Sequence, residues 1–398
     1  MLGDWRRSRV LAPAVAAATG DLLSRSAMSP MPQRPADDRR EFLVYRDRIG
    51  VASEIQFSRR QYLGFRTLRP VWIGRVMLPD AARISDALIR IGGPRGLLFR
   101  HFGLPPGLDL TPFVRVVHAQ FARGGALALP LAHAMNAKLV VTLHGGDVGK
   151  DKNWRHSVLA RRWPEVIART HRFVCVSHAV ADIAVRRGVP EHLLTVLPIG
   201  VEVPAAPPVL ARDGAFLFAG RFVEKKGIAV LTEAMRRLRA KGDMTPLICA
   251  GDGPLRPLLE TLRREIPGVE LVGWLSPEAL TARMATARAL VVPSVVAADG
   301  DAEGLPSVVP EAMARGCPVI GSDEGGIAEA VTDAATGLLV PPGDADALAE
   351  TMLRLSSQPD LAVRLARAAF VAVGEHLNAV RQSAALEAIL LEALAGSG

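Results

Sequence analysis

The sequence predicts an α/β protein of two successive domains, each a parallel sheet covered by helices. Three observations lead there. Short apolar runs alternate with helical stretches along most of the chain, the signature of βαβ units. The composition is 49% hydrophobic but only 5% aromatic, as expected where Ala, Val, Leu and Gly bury both faces of a parallel sheet. The 398 residues exceed one ordinary core and suit two.

In chain order, residues 1–40 read as a poorly ordered extension of Ser, Pro, Arg and Asp without apolar spacing, and Met28 or Met31 could be the true start. A strand is predicted over 42–45, a helix over 53–64 and a strand over 70–77. Strands over 114–118, 139–143 and 173–176 follow, with helices over 125–135, 156–170 and 178–187. Residues 196–210 carry four prolines and no helical period, and read as the linker between domains 41–198 and 199–375. The second half then predicts strands over 215–219, 246–250, 270–272, 289–292, 318–321 and 337–340. Its helices are predicted over 227–239, 255–264, 277–285, 307–315, 345–355 and 361–373. A last helix over 380–394 sets Val380, Ala384, Leu386, Ile389, Leu390 and Leu394 on one apolar face.

Arg6, Arg7 and Arg9 before an apolar run over 10–18 imitate a signal peptide, but the run is short, contains Pro13, and nothing downstream looks secreted. No run approaches the roughly 18 apolar residues of a membrane span. Cys175, Cys249 and Cys317 form no CxxC pair, which suits reduced, buried thiols in the cytosol. Charge is uneven: residues 1–200 hold 30 Lys/Arg and 15 Asp/Glu, whereas residues 201–398 hold 18 and 25. A basic first half suits an anionic partner or an ordinary soluble surface. Its arginines are scattered pairs without interleaved aromatics, so nucleic acid is disfavoured.

Three clusters in the second half carry chemistry. Gly220-Arg221 closes a predicted strand, and Lys226-Gly227 opens the following helix. Ligands of α/β sheets bind at the carboxyl ends of strands, and two cations beside a helix N-terminus suit an anion, although surface Arg and Lys would look the same. Glu303-Gly304-Leu305-Pro306-Ser307 turns into a helix carrying Glu311. Pro suits a first helical turn, and carboxylates accept hydroxyl hydrogen bonds from a polyhydroxylated ligand; a solvated Glu in a loop and another on a helix face is the plain alternative. Gly251-Asp252-Gly253-Pro254 and Val272-Gly273-Trp274 are weaker glycine turns.

Together these residues resemble the family-4 retaining glycosyltransferases of the GT-B fold, over most of residues 41–398. The most specific element is Glu-x7-Glu, Glu303 to Glu311, inside EGLPSVVPEAMARGCPVIGSDEGG, with GRFVEKKG upstream. The resemblance implies two Rossmann-like domains facing a cleft, with residues 376–398 crossing back to the first. It implies that Arg221 and Lys226 neutralise the donor diphosphate, that Glu303 and the backbone of 304–306 hold the donor sugar, that Glu311 binds ribose hydroxyls, and that Val272-Gly273-Trp274 faces the base. In the first half His144-Gly145-Gly146-Asp147 looks like the family's His-Gly-x-Asp loop, which puts His144 near the transferred sugar; a strand-end His capping backbone is the plain alternative. His118-Ala119-Gln120 resembles a paired His-x-His segment but departs from it at Gln120. The glycine-rich first loop is reduced to Gly50, with Ser53-Glu54 after it.

The resemblance is nearest to the branch that builds bacterial exopolysaccharide and lipopolysaccharide. It implies transfer of a hexose from a nucleotide sugar to a glycan or lipid-linked glycan acceptor, with no cofactor and no enzymic nucleophile. A nucleotide-sugar epimerase or hydrolase of the same fold, or a non-catalytic glycan- or nucleotide-binding protein, are the rivals. Asp299-Gly300-Asp301 also matches a DxD motif, whose carboxylates can hold Mn²⁺ or Mg²⁺, but Arg221, Lys226 and a helix N-terminus already supply positive charge. We expect no metal, a cytoplasmic location, and reversible contact of residues 41–198 with anionic membrane. No amphipathic anchor is obvious, although residues 53–64 carry Arg59 and Arg60 beside Ile55, Phe57 and Leu63.

Overall fold

The computed structural model describes residues 38–51, 54–91, 109–150, 154, 157–205 and 214–396. The expected extension and signal-like run therefore lie almost wholly outside the described residues.

The first domain opens on β1 (Arg40–Tyr45), whose Phe42 to Tyr45 are all buried, as a strand covered on both faces requires. β2 (Arg48–Ile49) follows, then a helix over Ile55–Arg60, β3 (Leu68–Gly74), β4 (Val76–Met77) and β5 (Leu88–Arg90). The single strand expected over 70–77 is thus two. Chain direction breaks at Arg75, whose guanidinium pairs with Asp47, and β4 leaves the main sheet to pair with β2. β6 (Val116–Gln120), β7 (Lys138–Leu143), β8 (Thr170–Cys175) and β9 (Leu194–Val196) complete the domain, joined by helices over Ala122–Ala134, Val158–Arg169 and His178–Arg186. Ser157 and Ser177 cap the last two by accepting from Ala160 N and Val180 N. The sheet order is β5-β3-β1-β6-β7-β8-β9, parallel throughout.

The second sheet takes β10 (Phe216–Ala219), β11 (Leu247–Ala250), β12 (Val269–Gly273), β13 (Ala289–Val292), β14 (Val319–Ser322) and β15 (Leu338–Val340) in the parallel order β12-β11-β10-β13-β14-β15. Both sheets start at the centre, build outward to one side, then return to build the other. Each therefore has one switch point where a crevice opens, β1/β6 in the first and β10/β13 in the second.

The chain crosses between domains twice, and the crossings pair. Val201 N donates to Leu377 O at 2.8 Å and Ala379 N to Val201 O at 2.9 Å. The expected linker is partly strand: its start at Val196 closes β9, and residues 206–213 lie outside the described residues.

Helix Pro359–His376 packs on the second domain through Ala369 and Val373. Helix Ala379–Ala395 returns to the first, setting Leu386, Leu390 and Ala393 against Phe42, Val44 and Tyr62. The face differs from the expected one. Val380 is 53% exposed and Ala384 is exposed, while Ser383 and Glu387 are buried. These two polar residues turn inward because they have backbone donors to satisfy. Ser383 Oγ accepts from Gly64 N, and the Glu387 carboxylate accepts from Arg66 N, Thr67 N and Leu68 N.

Candidate functional site

The carboxyl end of β10 leads into Gly220 and Arg221; that of β13 leads into the loop carrying Asp301 and Glu303. The turn before helix Ile228–Ala240 brings Lys225 and Lys226 to the same crevice, and the Lys226 stem passes over Gly220, where a Cβ would stand 3.4 Å from its Cε. The result is a ladder of alternating charge. Lys226 Nζ stands 3.2 Å from Glu303 Oε1, and Lys225 Nζ 3.5 Å from the same oxygen. Lys225 Nζ donates to Asp301 Oδ1 at 3.1 Å and to Ala302 O at 3.3 Å, while Lys150 of the first domain holds Asp301 Oδ2 at 2.7 Å.

Glu303 is 8% exposed. Burial pushes its carboxyl up, but Lys226 and Lys225 outweigh burial and hold it below the usual value. Its Oε1 has ion pairs without a well-aligned hydrogen bond, so acceptor capacity remains for a ligand hydroxyl. Arg221 is exposed beside the ladder, and no described residue pairs with it.

The two domains meet through glycine. A Cβ on Gly145 would lie 2.8 Å from Gly304 N, one on Gly304 2.3 Å from His144 O, and one on Gly326 1.8 Å from Gly304 O. Only glycine permits that approach of three loops, so the 303–304 turn abuts the His144 loop. Leu305 packs on the core of the first domain, Pro306 is buried and Ser307 exposed.

His144 is half-buried between Phe121, at 4.2 Å between ring centroids, and Phe57, at 5.2 Å. Burial first, then Arg46 and His118, lower its pKa to about 3, so the ring is neutral at physiological pH. Arg46 lies over the Phe121 ring at 4.2 Å and is forked onto Glu54. Phe57 and Ile55 are turned inward, leaving Arg59 and Leu63 exposed on the stretch that carries Arg59 and Arg60. Arg60 also turns inward, donating to Glu311 of the second domain at 2.5 Å.

Asp147 and Gly50, both expected to line the site, are otherwise employed in this structure. Asp147 accepts from His144 N at 3.0 Å and Ala122 N at 2.8 Å, so it ties the His144 loop to the end of β6. Gly50 is tight because a Cβ would strike Ala81 N at 2.5 Å. Val272 and Gly273 end β12, two strands from the switch point, with Trp274 61% exposed beyond them. Asp301, half of the DxD motif, is gripped by two lysines. Lys150, Lys225, Arg60 and Tyr62 were not singled out as site residues from sequence. Lys225 neighbours a chosen lysine, and nothing local tells that both of the pair turn inward onto Glu303; Arg60 meets Glu311 only through tertiary folding.

Residues 213–358 match the family described as glycosyl transferases group 1, and residues 85–203 match glycosyltransferase family 4. The amylovoran biosynthesis glycosyltransferase AmsK of Erwinia amylovora is 33% identical over 248 residues, 59% of this chain and 60% of that protein. Glycogen synthase of Mycobacterium tuberculosis (strain H37Rv) is 29% identical over 66% of this chain and 65% of its own. The chain thus spans about three fifths of the length of the first of these relatives. Among solved structures, sucrose-phosphate synthase from Thermosynechococcus elongatus superposes with a TM-score of 0.72 at 22% identity, covering 90% of this chain and 100% of that one. HepE of Anabaena in complex with UDP gives 0.70 at 16% identity, over 88% and 100%. The fold is GT-B.

Proposed function

We propose, for a chain that belongs to the group 1 and family 4 glycosyltransferases through both of its domains, that the cleft transfers a hexose from a nucleoside-diphosphate sugar to a glycan or lipid-linked glycan in bacterial surface-polysaccharide synthesis. The observation that carries the reading is the grouping of Lys226, Glu303 and exposed Arg221 at the β10/β13 switch point. A diphosphate there meets two cations, and a sugar meets an ionised carboxylate with acceptor capacity to spare. The kinship with an amylovoran biosynthesis enzyme supports the surface-polysaccharide assignment.

The acceptor oxygen forms its bond to the anomeric carbon as the bond from that carbon to phosphate breaks, on the same face, so configuration is retained. The acceptor proton passes to the departing diphosphate. Negative charge grows on that diphosphate, and prepositioned Arg221 and Lys226 stabilise it; one such donor is worth about 3–4 kcal/mol. Glu311 takes the ribose hydroxyls, the Val272-Gly273-Trp274 turn faces the base, and His144 stands by the transferred sugar. No metal takes part: a divalent cation needs carboxylate oxygens that Asp301 gives to Lys150 and Lys225. The basic first half supports reversible contact with anionic membrane, where each well-placed Lys or Arg contributes roughly 1 kcal/mol. Among the described residues no helix is long and apolar enough to cross a membrane.

The test is a panel of nucleotide sugars read by thermal shift, followed by acceptor-dependent turnover and the anomeric configuration of the product. Release of free sugar or an epimer, with no transfer to any glycan acceptor, would overturn the transferase reading. Sedimentation with anionic and neutral vesicles at low and high salt tests the membrane contact; equal partitioning would refute it.

A further inference from the structure

Behind His144 lies a buried chain of hydrogen bonds whose donor and acceptor roles follow from the setting of one amide, that of Gln120. Gln120 ends β6 and is 1% exposed. Its Nε2 donates to Gln61 Oε1 at 2.7 Å and to Tyr62 Oη at 2.9 Å, which uses both amide protons. Its Oε1 then faces His144 Nε2 at 3.0 Å. A carboxamide oxygen only accepts, so the proton must sit on His144 Nε2. Tyr62 Oη, having accepted from Gln120, gives its own proton to His118 Nδ1 at 2.8 Å, and His118 Nε2 donates to Thr142 Oγ1 at 2.7 Å. With the Gln61 amide presenting its oxygen to Gln120 Nε2, only this setting of the Gln120 amide satisfies both the Gln61 and the His144 contact.

We propose that Gln120 is the positioning residue of the cleft, holding His144 as the Nε2–H tautomer and in one orientation, so that Nδ1 is the ring's remaining acceptor for a ligand hydroxyl. The proposal rests on His144 standing at the transfer site. A histidine at position 120, as in the paired segment that the sequence resembles, has two tautomers and could not impose one. A carboxamide anchored by two donated bonds can. The backbone supports the assignment. Phe121, next in the chain, is held at φ 68°, a conformation rare for a bulky residue. The strained turn sets the Phe121 ring on the face of His144 while Gln120 meets its edge. The other groups about His144 impose no proton: Arg46 is paired with Glu54, Asp147 accepts from backbone amides, and His118 is neutral.

The experiment uses the full chain, labelled with ¹⁵N-histidine, together with steady-state kinetics on the donor found by the nucleotide-sugar panel. The wild-type His144 ring should show a single Nε2–H signature across roughly pH 5 to 8. Gln120→Leu should give mixed tautomers and a kcat lower by on the order of 10- to 100-fold with KM for donor little changed. Gln120→Glu should place a carboxylate against the ring, keep His144 protonated near neutrality, and add an acid limb to the rate profile. Should Gln120→Leu fail to fold, Gln120→Glu carries the test by both readouts. An unchanged Nε2–H signature in Gln120→Leu, or wild-type kcat and pH profile in Gln120→Glu, overturns the proposal. His144→Ala separates the two readings. If it collapses turnover while the Gln120 variants do not, positioning alone fails; if it turns over normally, both fall.

Discussion

Arg60 of the first domain and Glu311 of the second form an ion pair across the cleft, Nη1 to Oε1 at 2.5 Å, with both side chains largely shielded from solvent. Arg60 therefore occupies the carboxylate proposed to bind ribose, and donor entry must exchange the pair for hydroxyls. Arg60→Ala should lower the stability of the unliganded protein by about 1–2 kcal/mol. It should also enlarge the melting-temperature gain on adding a nucleoside diphosphate, because nothing then competes for Glu311. Thermal shift with and without ligand checks this; equal gains in both proteins would detach Glu311 from the ribose.

Arg221→Ala and Lys226→Ala should each reduce donor turnover by roughly 10- to 100-fold, the loss of a charge-assisted contact of about 1.5–3 kcal/mol. The fold should persist, since Arg221 is exposed and Lys225 remains 3.5 Å from Glu303. Kinetics and circular dichroism on both variants decide; wild-type turnover in either would sink the diphosphate assignment for that residue.

His118 is fully buried and its pKa is lowered from 6.5 to about 3 by burial. The folded state then refuses a proton that the unfolded state takes up, so stability is full above 6.5 and falls as pH drops from 6.5 towards 3. At pH 5 one such histidine costs about 2 kcal/mol. Urea unfolding at pH 7.5 and pH 5 should show the loss, and His118→Gln should flatten the slope even if it lowers stability at neutral pH. A slope unchanged in His118→Gln would assign the pH dependence elsewhere.

Turnover should survive excess EDTA. Both Asp301 oxygens face lysine ammonium groups, Lys225 at 3.1 Å and Lys150 at 2.7 Å. Abolition by EDTA with recovery on adding Mn²⁺ would move the diphosphate to Asp299 and Asp301.

The strand–helix alternation and the glycine turns at the strand ends were legible in the sequence because each is written in local terms, whereas the return of the last helix to the first domain was implied by the family resemblance. Apolar period reports which faces are covered, and a glycine turn after a strand reports a crevice mouth. The limits were local too. β5 and β9 are three residues each, too short to show a period. The stripe of helix 379–395 was misjudged because Ser383 and Glu387 are buried for backbone donors that lie more than three hundred residues away.

By itself the sequence determined a doubly α/β chain with cations and carboxylates at the strand ends of its second half. Only the tertiary structure decided which lysine holds which acid, that Asp301 is met from the first domain by Lys150, that Arg60 turns onto Glu311, and that Gln120 meets the edge of His144. The physical reason is range. Periodicity and propensity act between residues a few positions apart, whereas an ion pair or a buried hydrogen bond is chosen by whichever group packing brings within about 3 Å, and those partners here belong to different domains or to distant strands.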